Sequence, residues 1–134
     1  MSEFICREMT LDDRAKALEW LSTFAKNPFP DDLIPETGVS AVYNGEVYCI
    51  LPIYLELTTN TVVFGSCMPN PGINAKMKHA AVECVVNGAL RYAKNLGKKY
   101  VYALFGHRAF NRIADRIGFI TADKNVEEKY CLIV

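Results

Sequence analysis

The chain has 134 residues, 51% of them hydrophobic, 11% aromatic and 22% charged, a balance that fits one globular domain over residues 1–134 and excludes a disordered chain. Fifteen basic residues are matched by fifteen acidic ones, so no global field steers the protein onto nucleic acid or an anionic membrane. No apolar run approaches the roughly 20 residues of a membrane span. Met1 to Cys6 lacks the basic start and apolar stretch of a secretion signal, which predicts a cytoplasmic protein.

Phe4 to Met9 predicts a first strand. Thr10 offers an N-cap hydroxyl, and Asp12 and Asp13 stand where a helix dipole favours negative charge. From Leu11 the apolar positions Ala15, Leu18, Leu21 and Ala25 recur at helical spacing, and Pro28 predicts that the helix stops before it. Asn27 to Pro35 reads as an exposed, proline-rich loop long enough to border a site. Val39 to Tyr43 and Val47 to Leu57, joined by Asn44-Gly45, predict a hairpin, because Asn-Gly supplies the positive φ angles of a tight turn. Pro52 removes a ladder donor and predicts a bulge or an edge position. Asn60 marks a turn and Thr61 to Met68 a further strand.

Pro69-Asn70-Pro71-Gly72 breaks the chain before a long helix, Asn74 to Leu96, closed by Gly97. Its stripe Met77, Ala81, Cys84, Val85, Gly88 and Tyr92 predicts a buried face. Lys98 to Phe105 predicts a strand, His107 to Ile117 a short helix ended by Gly118, Phe119 to Ala122 the start of a last hairpin, and Lys129 to Val134 a terminal strand. The crossover through the long helix sets Thr61–Met68 parallel to Lys98–Phe105. Tyr43, Tyr48, Tyr54 and Tyr100 lie along strands as cross-strand packing residues do, with no basic groove between them.

The five cysteines, Cys6, Cys49, Cys67, Cys84 and Cys131, are odd in number, widely spaced and free of Cys-x-x-Cys. That argues against a disulfide framework or a zinc knuckle and predicts reduced thiols packed as small hydrophobes, with Cys67 set apart by its position. His79 and His107 lie far apart without a carboxylate cluster, so no metal site is expected.

The stretch that carries chemistry is the junction from Cys67-Met68 through the Pro/Gly turn into the long helix. Unpaired amides and the helix dipole make such a start an anion site, and Lys76 and Lys78 add positive charge. With Gly97-Lys98-Lys99-Tyr100-Val101-Tyr102 and the closing run His107 to Phe119, ending Ile117-Gly118-Phe119, this order of elements resembles the GNAT N-acetyltransferase superfamily over nearly the whole chain. The resemblance implies an α/β (α+β) fold: a mixed, mostly antiparallel twisted sheet with a central parallel strand pair and flanking helices. It implies acetyl-CoA as the acyl donor and an amine as acceptor, with Cys67, Met68, Gly72, Asn74, Ala75, Lys76, Lys78, His107 and Asn111 toward the coenzyme. His107 and Glu56 are then candidate bases, with Glu36 behind them, and Tyr102 or Cys67 the candidate acid.

Two positions depart from the family pattern. Gly72 to Val82 holds no Gly-x-Gly or Gly-x-Ala pair for close backbone approach to phosphate. The closing helix has Ala114 where many members have a tyrosine that protonates the leaving thiolate. A narrower resemblance, through Ala75-Lys76-Met77-Lys78 and Gly106-His107 to Gly118, is to small GNAT-like internal virion or assembly proteins of short-tailed bacteriophages. It implies a scaffold in host cytoplasm or virion, with a second copy or a phage protein as partner. Enzyme and scaffold both stay open at this level.

Overall fold

The computed structural model describes residues 3–24, 30–105, 108–124 and 129–133. These fall into two compact units, Met1–Ala103 and Leu104–Val134.

The first unit is built on a sheet of β1 (Ile5–Glu8), β2 (Gly38–Tyr43), β3 (Glu46–Leu55), β4 (Thr61–Phe64), β5 (Met68–Pro69) and β6 (Tyr100–Tyr102), with α1 (Leu11–Phe24) and α2 (Ala75–Asn95). Strand order is β1-β2-β3-β4-β6, with β5 pairing β3. All pairings are antiparallel except β4 with β6. The hairpin forms where predicted: Asn44 and Gly45 take φ of 50° and 81° between β2 and β3, the left-handed geometry that matches strand twist. Phe4, Tyr43 and Tyr48 cluster beside it, with ring centroids 5.1 to 5.7 Å apart.

Alternation along the strands divides two cores. On one side Met9, Ala17, Leu21, Ile34, Val47, Ile50 and Met68 pack beneath α1. Val39, Ala41, Cys49, Leu51 and Ile53 point the other way and are also buried, on the side where α2 lies against β1, β2 and β3. Buried Ala81, Val82, Val85, Val86, Gly88, Ala89 and Ala93 line α2, so its inward stripe is made of small residues.

Both helix starts are capped by their own side chains. Thr10 Oγ1 accepts from the Asp13 amide at 3.1 Å and Asp13 Oδ2 accepts from the Thr10 amide at 3.0 Å, a reciprocal box. At α2, Asn74 Oδ1 accepts from the Met77 amide at 2.9 Å. At its other end Gly97, at φ 77°, lets its own amide reach Lys94 O and the Lys98 amide reach Ala93 O, each at 3.0 Å.

The second unit contains α3 (Arg108–Ile117). Gly118 stands at φ 118° and the Phe119 amide donates to Ala114 O at 2.9 Å, so the Ile117-Gly118-Phe119 ending is a helix stop of the Schellman kind. Phe119 meets Phe105 edge-on at 5.5 Å.

Three expectations on strands are corrected. Thr61–Met68 is two strands, not one. Lys98–Phe105 shortens to Tyr100–Tyr102. No strand forms over 119–124 or 129–133, so among the described residues the parallel pair stands at one end of the sheet rather than in its middle. Phe119–Ala122 and Lys129–Val134 carry strand-forming residue types, but nothing in the sequence supplies their pairing partners. No described helix is long and apolar enough to cross a membrane.

Candidate acyl-donor site at the strand break and the start of α2

The site begins at a proline. Ile53 donates its amide to Thr37 O on the β2 side at 2.8 Å, and Pro52 O accepts from the Gly65 amide on the β4 side at 2.7 Å. A residue's N–H and C=O share a side, so the donor that Pro52 lacks would have faced β4. The ladder fails there. Register runs Ile53↔Phe64 before the gap and Ile50↔Met68 after it, so Gly65, Ser66 and Cys67 stand opposite two residues, Leu51 and Pro52. That is the bulge Pro52 predicts, now placed in a central strand.

On the other flank β4 pairs with β6 for three residues, Thr61↔Tyr100, Val62↔Val101 and Val63↔Tyr102. Pairing then ends, while the neighbouring chain continues through the bulge to β5. The parallel strands are therefore not joined along their length. Among the described residues, the backbone at Ser66 and Cys67 has no ladder partner on the β6 side.

The chain then turns into α2. Asn70 Oδ1 accepts from the Gly72 amide at 2.9 Å and Asn70 O from the Ile73 amide at 3.4 Å. The Met77 amide is capped by Asn74, and the Lys78 amide donates to Asn74 O at 2.9 Å. Among the described residues this leaves the amides of Ala75 and Lys76 as the unpaired donors of the first turn. Asn74, Ala75 and Lys76 are exposed. The Gly72 amide is thus engaged by Asn70 within the turn. A Cβ there would meet only Asn70 Oδ1, at 3.4 Å.

The candidate chemistry residues divide. Cys67 is half-buried on the bulge, its sulfur 3.5 Å from that of buried Cys49. Met68 is buried in the core under α1. Tyr102 is 57% exposed and sits at the last parallel pair, where the strands part. Glu56 accepts hydrogen bonds from the hydroxyls and amides of Thr58 and Thr59 at 2.6 to 2.9 Å. Those donors, the Thr58 and Thr59 side chains first, hold its carboxyl down at about 2. Glu56 thereby ties down the turn between β3 and β4. Asn111 is exposed on α3 in the second unit, and His107 lies outside the described residues. Glu36 is exposed in the loop before β2. His79 pairs with Glu83 one turn on, at 3.7 Å. No group of His, Cys, Asp or Glu among the described residues is arranged to hold a metal.

Sequence reading missed the consequence of Asn70, whose side chain closes the turn; its signal was the Asn-Pro-Gly triplet. It also missed the tight β2–β3 approach at Gly38, which nothing in the pattern announces.

No protein-family model matches the sequence, and no curated protein matches it. Solved structures do. The ribosomal-protein-S18-alanine N-acetyltransferase from Escherichia coli superposes with a TM-score of 0.69 at 11% identity, over 90% of this chain and 79% of that one. The aminoglycoside N-acetyltransferase AAC(6')-Iy, in complex with CoA, gives 0.64 at 12% identity, over 97% and 96%. Ard1 from Thermoplasma volcanium gives 0.69 at 12% identity, over 90% and 84%. Sheet order, the parallel β4–β6 pair and these likenesses agree: the chain has the GNAT-like acyl-CoA N-acyltransferase fold.

Proposed function

We propose that this chain is an N-acyltransferase that takes an acyl group from acyl-CoA and passes it to an amine. The observation that carries the reading is the parting of β4 and β6 beside a bulge whose Ser66 and Cys67 amides have no ladder partner among the described residues, directly ahead of an exposed helix start. Bound acyl-CoA supplies a thioester whose carbonyl carbon is open to attack by an amine. The backbone of Ser66 and Cys67 is placed to donate to the oxygen on which charge develops. The amides of Ala75 and Lys76, with the ammonium groups of Lys76 and Lys78, hold the diphosphate in place of a glycine-rich string. Tyr102, where the strands separate, delivers the proton to the departing sulfur. Structures of the same fold act on chemically different amines, an aminoglycoside and a ribosomal-protein alanine among them, so the fold itself leaves the acceptor open.

Calorimetric titration with acetyl-CoA and with CoA tests the reading. Binding is expected, with a rise in melting temperature that grows with ligand concentration. Lys76→Glu with Lys78→Glu weakens CoA by about 100-fold, since each charged contact to phosphate is worth about 1.5 kcal/mol. Tyr102→Phe leaves that affinity unchanged and lowers turnover. Absence of both heat and thermal shift at millimolar ligand rejects the proposal. A non-catalytic assembly role on the same fold draws its support from the basic, glycine-poor sequence at the start of α2, and is the reading that such a result leaves standing.

A further inference from the structure

The bulge brings two thiols together. Cys49 on β3 stands opposite Pro69 on β5. Cys67 lies two residues before Pro69, which makes it the diagonal neighbour of Cys49 across the strands. Their sulfurs are 3.5 Å apart, and both thiols are free. Hydrogen bonds hold the chain on either side of Cys67: the Gly65 amide donates to Pro52 O at 2.7 Å and the Asn70 amide to Tyr48 O at 2.8 Å. The contact is therefore set by strand register, with Cys67 on a short span fixed at both ends. The two differ in access. Cys49 is fully buried, whereas Cys67 is half-buried.

We infer that Cys67 and Cys49 form an oxidisable dithiol: a hydroperoxide meets Cys67 from solvent, and Cys49 closes a disulfide that staples the bulge to β3. The sulfur of Cys67 attacks the near oxygen of hydrogen peroxide and the O–O bond breaks. The far oxygen departs as hydroxide, takes the Cys67 proton and leaves as water, so Cys67 becomes a sulfenic acid. The Cys49 sulfur then attacks the sulfenic sulfur. An S–S bond forms, the S–O bond breaks, and the departing hydroxide takes the Cys49 proton as a second water. Two thiols and one peroxide give one disulfide and two waters. Cys49 needs no solvent for its step, because the sulfur it attacks is already in contact, and bonding shortens the separation from 3.5 Å to about 2.05 Å. Burial, with the contact to Cys67 behind it, pushes the Cys49 thiol well up, which suits the resolving sulfur and leaves the oxidant to Cys67. Cys131 is more exposed, so access alone would send peroxide there; the sulfur beside Cys67 is what ends its oxidation in a bond. The inference goes beyond acyl transfer and holds with or without a bound thioester.

The experiment is limited oxidation of the full chain with one equivalent of hydrogen peroxide, quenching with N-ethylmaleimide, and peptide mapping without reductant. A Cys49–Cys67 cross-link within one chain is expected as the main product, reversed by dithiothreitol. Amide hydrogen exchange at Ser66, Cys67 and Met68 should slow by about ten-fold in the linked form. Cys49→Ala removes the link and leaves a sulfenic acid on Cys67 that dimedone captures. Three results overturn the inference: Cys67 recovered with its maleimide label while other thiols are oxidised, Cys67 as sulfinic acid without a bond to Cys49, or another intrachain link as the main product. Unchanged exchange in the linked form overturns the staple. The wild-type map decides this even where the variant does not fold.

Discussion

Asp13→Ala is expected to destabilise the protein by about 3 kcal/mol, the cost of removing one partner from a buried, charged hydrogen-bond cluster, and to lower its melting temperature by about 10 °C. The side chain is 2% exposed. Its carboxylate accepts from the Thr10 amide at 3.0 Å, from Ser40 Oγ at 2.9 Å and from both Arg7 nitrogens. Ser40 is fully buried, so alanine at 13 strands its hydroxyl as well as the Thr10 amide. Arg7 is 41% exposed, and solvent screening limits its share to under about 1 kcal/mol. Most of the loss therefore comes from the two uncharged donors, and Arg7→Ala should cost far less than Asp13→Ala.

The same site sets an acid limit. Burial works to raise the Asp13 carboxyl, and the Arg7 guanidinium, Thr10 amide and Ser40 hydroxyl more than offset it, leaving the group below its usual 3.8. A depressed carboxyl contributes stability that is complete above the unfolded value and is lost as pH falls through the folded one. Urea midpoints measured from pH 7 down to pH 2 should fall for the wild type below about pH 4. Asp13→Asn, which cannot ionise, should flatten that fall, and an unchanged profile would remove Asp13 from the account.

Gly38→Ala should cost as much or more, about 3 kcal/mol, for a different reason. A Cβ at 38 would lie 2.4 Å from Leu51 O and 2.8 Å from the Pro52 Cα. Those are backbone atoms of a central strand, with no side chain to swing aside. Relief requires β2 and β3 to move apart, which strains the amide bond from Ile53 to Thr37 and the one from Met9 to Gly38, at 2.8 and 2.9 Å. Because Pro52 also sets the bulge, the variant should lose the acetyl-CoA binding proposed above under conditions where it remains folded. Circular dichroism at 20 °C beside the ligand titration separates the two losses; retained affinity in a destabilised protein would uncouple bulge from hairpin.

Local chemistry was legible in the sequence and long-range pairing was not. Thr10, Asn44-Gly45, Gly97 and Gly118 each act through their own backbone and near neighbours, and each does in the structure what its residue type dictates. Pro52 announced a ladder defect, but a bulge and an edge position look alike until the neighbouring strands are known. The break of Thr61–Met68 into two strands is the other half of that defect, placed by a residue nine or more positions earlier. Strand-like runs after Phe119 have apolar residues and no partner to pair with. The capping box at Thr10 was readable, whereas Arg7 and Ser40 reach Asp13 only through the β1–β2 register. The cysteines are the sharpest case: odd and scattered, they read as fillers, yet the strand register sets Cys6 and Cys49 on either side of Ala41 in one cross-strand row, with Cys67 3.5 Å from Cys49.

Pro52 has one consequence for the energetics of ligand capture. In an ordinary ladder, separating two strands to admit a guest forfeits hydrogen bonds that must be regained from it. Pro52 offers no donor toward β4, so the chain at Ser66 and Cys67 can shift at the bulge without breaking a bond to residue 52. For the acyl-CoA site proposed above, a thioester lodged beside the bulge would have that much less ladder to disrupt.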